Sequence, residues 1–165
     1  MAFFVRKLTR DRWVPAFDSD AAPEELLSFL AAERGVSLWK CEADEDSLPV
    51  VVNVVAGYES RPPSFLHFAQ IDEDDLDSLR LELLTVPAHE APVARLRTFH
   101  HELAVSTHEE AARFVSVVRE APRGQFSRAQ VESAILRLHD SGELIADRCG
   151  KFAREVLDRA RPREA

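Results

Sequence analysis

The stretch at residues 65–71 constrains the fold more than any other feature of the sequence. It reads Phe-Leu-His-Phe-Ala-Gln-Ile, so five of its seven residues are apolar. A nearly continuous apolar run of this length is typical of a strand that is buried on both of its faces. The chain therefore has to provide covering layers on each side of a sheet.

Strand-like segments alternate with helical ones through the first half. Phe3–Leu8 and Val36–Cys41 have strand propensity, and residues 23–35 predict a helix because proline suits a first turn and glycine ends a helix. Residues 46–56 favour a helix that links two strands, with a third strand as the alternative. Residues 79–86 predict a further strand.

Helices are expected to dominate the second half. Thr107 with Glu110, and Ser127 with Gln130, each form a capping box that marks a helix start. A last helix is predicted over residues 150–160.

Two further segments of the second half are assigned from their local pattern. Val93, Leu96, His100 and Leu103 recur at helical spacing, which favours a helix there. Residues 122–124, Pro-Arg-Gly, indicate a turn.

The predicted fold class is α/β or α+β, with a small mixed sheet and flanking helices in residues 1–90. A mainly helical portion over residues 91–165 is expected to pack with it as a single domain.

The amino-terminal arm interleaves aromatic and basic residues. Phe3, Phe4, Trp13 and Phe17 alternate with arginines and a lysine. Such a pattern suits stacking on single-stranded nucleic acid or insertion into a partner. The simpler interpretation is an edge strand whose aromatic side chains cover the core.

Nearly all of the negative charge lies in the central segment of the chain. Acids outnumber lysine and arginine by 29 to 21, and residues 18–90 alone hold 17 acids against four bases. A protein that holds nucleic acid through its phosphates needs the opposite sign, so nucleic acid is not the expected partner.

Two acidic clusters follow two predicted strands. The first is Glu42, Asp44, Glu45 and Asp46; the second is Asp72, Glu73, Asp74 and Asp75. If the two strands are parallel neighbours, both clusters lie at the edge where open α/β sheets place their ligands. Complementary charge speeds encounter with the right partner and rejects wrong ones. The clusters therefore predict a docking surface for a protein with a basic surface.

Two other functions remain open as alternatives. Asp72 and Asp74 with Glu42 could hold Mg²⁺ in an enzyme of phosphoryl-transfer or nucleic-acid chemistry. The order of capped helix, glycine and apolar pair at residues 126–146 also occurs in winged-helix domains, which suggests a DNA-binding regulator.

Other catalytic patterns are absent from the sequence. The five glycines are widely spaced, which excludes glycine-rich phosphate loops, and no Gly-x-Ser-x-Gly elbow occurs. His100, His101 and His108 lack the spacing of a zinc-protease motif. Cys149 precedes a helix that would lower the pKa of its thiol, but no base accompanies it. No catalytic residue, cofactor or metal site is therefore predicted.

The expected cellular compartment of the protein is inferred from features that the sequence lacks. Two cysteines cannot build a disulfide framework, residues 1–12 do not resemble a secretory signal, and no apolar run reaches bilayer length. Arginine outnumbers lysine 18 to 3, as in a GC-rich bacterial genome. The expectation is a cytoplasmic, non-enzymatic accessory protein, of the immunity or regulatory-subunit kind, without a membrane partner.

Overall fold

A computed structural model describes residues 2–33, 35–42 and 47–161. Six of its segments pair into one sheet, in the order β4-β5-β2-β1-β3-β6. The strands are β1 (Phe3–Leu8), β2 (Val36–Cys41), β3 (Phe65–Asp72), β4 (Leu83–Thr85), β5 (His100–Leu103) and β6 (Arg123–Ser127).

Helices cover both faces of this sheet. They are α1 (Arg10–Phe17), α2 (Glu24–Glu33), α3 (Ser47–Tyr58), α4 (Glu73–Ser78), α5 (His108–Glu120), α6 (Arg128–Asp140) and α7 (Lys151–Ala160), with short 3-10 turns at Ala94–Phe99 and Ala146–Arg148. The buried side chains form two clusters. One joins the sheet to α3, α6 and α7, and the other joins it to α1, α2, α4 and α5. These two faces are called the α3 side and the α1 side.

The strand β3 is buried on both faces, as its sequence predicts. Leu66 and Phe68 pack on the α3 side, while Ala69 and Ile71 pack on the α1 side. Because side chains alternate along a strand, an uninterrupted apolar run is needed to fill two cores at once. None of the described helices combines the length and the apolar character that a membrane crossing needs.

The predicted class of helices on a sheet, with a helical carboxyl-terminal part, is confirmed. The sheet differs from the predicted mixed one, because every neighbouring pair of strands is antiparallel. The strands β2 and β3 do run parallel to each other, but β1 lies between them. The sheet also takes β5 and β6 from beyond residue 91.

Segments with strong local signals fold as predicted. The strands Phe3–Leu8 and Val36–Cys41 are confirmed, and the helix predicted over residues 46–56 is found at Ser47–Tyr58, with residue 46 outside the described residues. Both capping boxes form, and the N–H of Glu110 and Gln130 donates to its cap at 3.1 and 3.2 Å. A capping box acts within four residues, so it can be read without knowing the tertiary structure.

Three local predictions are wrong. The helix over Val93–Leu103 is replaced by a 3-10 turn and β5, whose His100 is held by neighbouring strands. The turn at 122–124 is wrong because Arg123 begins β6. Gly124 suits that strand, since a Cβ there would overlap the Phe68 ring opposite. The first strand is not an edge but lies inside the sheet, paired on both sides.

Candidate functional site

The two acidic clusters begin at the same edge of the sheet. Phe3, at the start of β1, pairs with Cys41 at the end of β2 and with Asp72 at the end of β3. With strands spaced about 4.8 Å apart, the two strand ends lie about 10 Å from each other on either side of β1. The shared edge thus arises from an inserted antiparallel strand, and not from parallel neighbours as predicted.

The described carboxylates at this edge are here called the acidic rim: Glu42, Asp72, Glu73, Asp74 and Asp75. All except the half-buried Glu73 are exposed. Lys40 Nζ lies 3.5 Å from Glu73 Oε1. The residues that follow Asp72 form the first turn of α4, where the N–H ends of the helix favour negative charge. The remaining predicted members of the clusters, Asp44, Glu45 and Asp46, lie outside the described residues.

The rim residues do not converge on a common point. Within residues 2–33, 35–42 and 47–161, no group of three or more His, Cys, Asp or Glu side chains is arranged to hold a metal ion. Glu42, Asp72 and Asp74, the ligands of the magnesium alternative, are therefore not brought together as a set.

The histidines considered as ligands have structural partners. His100 Nδ1 donates to the carbonyl oxygen of Val86 at 2.7 Å, and its Nε2 accepts from the Ser37 hydroxyl at 2.8 Å. Its ring also lies 4.8 Å from the Trp39 ring. His101 lies edge-on to Phe4, with ring centroids 5.2 Å apart. His100 therefore links β5 to β2 and to the residue after β4, and His101 adds a contact with β1.

The expectation that the following helix lowers the pKa of the Cys149 thiol is wrong. The residue is only 5 % exposed, and burial raises the pKa of its thiol to about 11. Desolvation of the thiolate therefore outweighs the positive charge of Arg154, which acts to lower this pKa.

The carboxyl-terminal half differs from a winged-helix arrangement. After α6, Leu144 makes a single bridge to Val93, so the described residues that follow this helix do not form a strand pair of their own. On α6 itself, Arg128 Nε donates to Glu132 Oε1 at 2.8 Å, and this hydrogen bond lowers the pKa of Glu132. Bases and acids are thus interspersed on α6, and they do not form a basic stripe.

A cleft that the sequence did not indicate lies at the opposite end of β3. Its volume is about 660 Å³, and it opens on the α1 side between α1, the end of α5 and the edge strand β6. The exposed Val14 and the half-buried Phe17 supply apolar surface, and His67, Arg123 and Gln125 line the cleft from the sheet. Seven of the fourteen described lining residues are polar or charged, and a cleft of this size suits a ligand or a peptide side chain.

One wall of the cleft is held by Arg119. Its guanidinium donates to the carbonyl oxygens of Ala16 (2.5 Å), Ser19 and Asp20 (2.9 Å), at the end of α1 and just beyond it. A guanidinium suits this role because its donors spread in a fixed plane and its charge complements the carboxyl end of a helix. The wall is therefore fixed by long-range hydrogen bonds.

A second arginine, Arg123, is held in place by an aromatic ring, but its guanidinium donors are not used in hydrogen bonds within the described part of the chain. Its Cζ lies 4.1 Å above the Phe17 ring, and that ring stacks on Trp13 with centroids 6.1 Å apart. Within the described part of the chain, no side-chain or backbone oxygen accepts a hydrogen bond from its guanidinium. The charge is thus positioned by an aromatic face while its donors stay available.

Local sequence patterns do not predict two walls of the cleft. Pro15 lies inside the helix Arg10–Phe17, and residues 122–124 predict a turn where β6 begins. The interleaved Trp13, Phe17 and arginines were the available signal.

Comparisons with protein-family models, with curated proteins and with solved structures found no significant match to this chain. Function is therefore inferred from the residues of the chain itself.

Proposed function

We propose that this is a non-enzymatic, cytoplasmic interaction protein, an accessory of the immunity or regulatory-subunit kind, that presents the acidic rim to a protein partner with a basic surface. One observation carries the proposal. The ends of β2 and β3 bring Glu42 and Asp72–Asp75 to one edge, where most of these carboxylates stand in water.

The charge of the rim is largely uncompensated. Among the described residues, Lys40 is the base within ion-pair distance of a rim carboxylate, and it contacts Glu73. The field of several such carboxylates extends about 8–10 Å into solution at physiological ionic strength. A field of this reach accelerates encounter with a cationic surface and needs no exact docking geometry.

The test is the association rate with basic proteins encoded beside this chain's gene, measured at two salt concentrations. The rim variant carries Asp72→Asn, Glu73→Gln, Asp74→Asn and Asp75→Asn. A matched control removes the same number of exposed carboxylates elsewhere, through Glu109→Gln, Asp140→Asn, Asp147→Asn and Asp158→Asn.

The expected result is an association rate about tenfold lower for the rim variant, with a weaker dependence on salt. The control variant should stay within about twofold of the wild type. Equal losses in the two variants would show that only net charge matters, and an unchanged rate in the rim variant would place the partner on another surface.

A further inference from the structure

The free edge of β6 offers backbone groups for pairing. In an antiparallel ladder, residues alternately turn their N–H and C=O groups toward the neighbour and away from it. Gln70 N–H donates to Pro122 O at 2.8 Å, and Arg128 N–H donates to Ser64 O at 3.3 Å. Even-numbered residues of this segment therefore face β3, and Arg123, Gln125 and Ser127 face outward.

The part of the outward edge that is available for pairing is short, and it ends before Ser127. Ser127 N–H already donates to Gln130 Oε1 at 2.8 Å within the capping box. Arg123 and Gln125 are both exposed, and among the described residues nothing pairs with their backbone groups. Two successive outward residues provide two N–H donors and two C=O acceptors, enough to anchor a short extended segment.

The side chains of the same two residues point to the cleft. Arg123 lies over Phe17 on the α1 side, and Gln125, two positions on, shares that face. A strand added beside β6 would also place alternate side chains on this face. One of them would reach the apolar surface of Val14 and Phe17, and another would reach the Arg123 guanidinium.

The charge of the cleft selects the chemistry of its occupant. In a chain of net charge -8, three arginines line the cleft against Asp18 and Glu120. Arg119 is engaged by backbone carbonyls, so Arg10 and Arg123 are left to meet an anion. A carboxylate matches the planar donor fork of an arginine, and the pair gains strength beside an apolar surface.

We infer that β6 and the adjoining cleft bind an extended, acidic segment of another protein by strand addition. The segment carries an aspartate or glutamate for Arg123 and, two positions away, an apolar side chain for the surface of Val14 and Phe17. This site goes beyond the proposed function, because it lies at the other end of β3 from the acidic rim and prefers the opposite charge.

The test is fluorescence anisotropy with a labelled eight-residue peptide. The peptide holds aspartate and phenylalanine two positions apart in a run of threonine and valine. Two matched peptides replace the aspartate by lysine or carry N-methyl groups on the backbone that would pair with β6. Arg123→Gln removes the charge, and Gln125→Pro removes an outward N–H while leaving the bonds to β3 intact.

Saturable binding of the acidic peptide is expected, weakened about tenfold or more by Arg123→Gln. Gln125→Pro and N-methylation should each abolish binding, and the rim variant should bind as the wild type does. Circular dichroism confirms that Gln125→Pro is folded; if it is not, the N-methylated peptide decides the question.

Three outcomes would overturn the inference. The first is that no saturable binding occurs at millimolar peptide. The second is equal binding of the N-methylated peptide, which would mean that the cleft takes an anion without strand pairing. The third is a dimer in light scattering that Gln125→Pro dissociates, which would assign the edge to a second copy of this chain.

Discussion

The two ends of β3 carry surfaces of opposite character, about 17 Å apart along the strand from His67 to Asp72. At the rim, carboxylates stand in water, and a single described base, Lys40, lies beside them. At the cleft, arginines are held by aromatic rings and backbone carbonyls. Four of the five rim carboxylates come from one run of sequence, residues 72–75, whereas the walls of the cleft come from segments about 100 residues apart.

This difference predicts how each surface responds to mutation. A rim of exposed charges contributes to encounter and little to stability, since exposed charges in water interact weakly. A residue that ties one wall of the cleft to another through long-range hydrogen bonds, as Arg119 does, contributes to the free energy of unfolding, so its replacement destabilises the protein.

The largest effect is expected for Arg119→Met. Its loss leaves three backbone carbonyls without their charged donor and frees the end of α1 from α5. We expect the free energy of unfolding in urea to fall by about 2–3 kcal/mol. Arg128→Met, which removes an exposed i,i+4 ion pair, is the control and should cost about 0.5 kcal/mol or less.

Alkylation of Cys149 shows whether that loss is local. Because burial raises the pKa of this thiol to about 11, it should react slowly near pH 8 in the folded protein. If Arg119→Met opens only the cleft, the rate of Cys149 alkylation should equal that of the wild type, because Cys149 lies in the core of the α3 side. If Arg119→Met were as stable as the wild type, the account of this wall would be wrong.

A smaller effect is expected for Gly124→Ala, which tests the edge strand beside the cleft. The added methyl would overlap the Phe68 ring, which is buried and stacked on Phe126 at 5.0 Å. We expect a loss of about 1–2 kcal/mol by urea denaturation, with a shift in near-ultraviolet circular dichroism. Gln125→Ala, on the exposed face of the same strand, should be neutral, and equal stability of the two variants would contradict the packing described.

The smallest effect is expected at the rim. Asp74→Asn with Asp75→Asn removes two charges that favour the first turn of α4 but repel each other. Stability should change by no more than about 0.5 kcal/mol in thermal and urea unfolding. A loss above about 1.5 kcal/mol would mean that the rim is a structural element, and the contrast with the cleft would fail.

The sequence predicts features that depend on neighbours in the chain. Thr107 and Glu110 find each other across one helical turn, and the carboxylates after β3 are visible as a run of letters. Features that depend on distant pairing are beyond such a prediction. His100 contacts Ser37 across 63 residues, and this pairing makes residues 100–103 a strand although their spacing predicts a helix. Arg119 contacts Ala16 across 103 residues, so the cleft joins segments whose sequence does not show that they are adjacent.

The place of β1 in the sheet has a consequence for how the chain is assembled. The strand that comes first in the sequence is flanked by β2 and β3, and the strands at the two margins, β4 and β6, come later in the chain. During synthesis, β3 therefore emerges before the segment that will shield its outer margin. A nascent chain halted ahead of Arg123 would display that apolar margin unpaired, and we expect such a fragment to self-associate until β6 arrives.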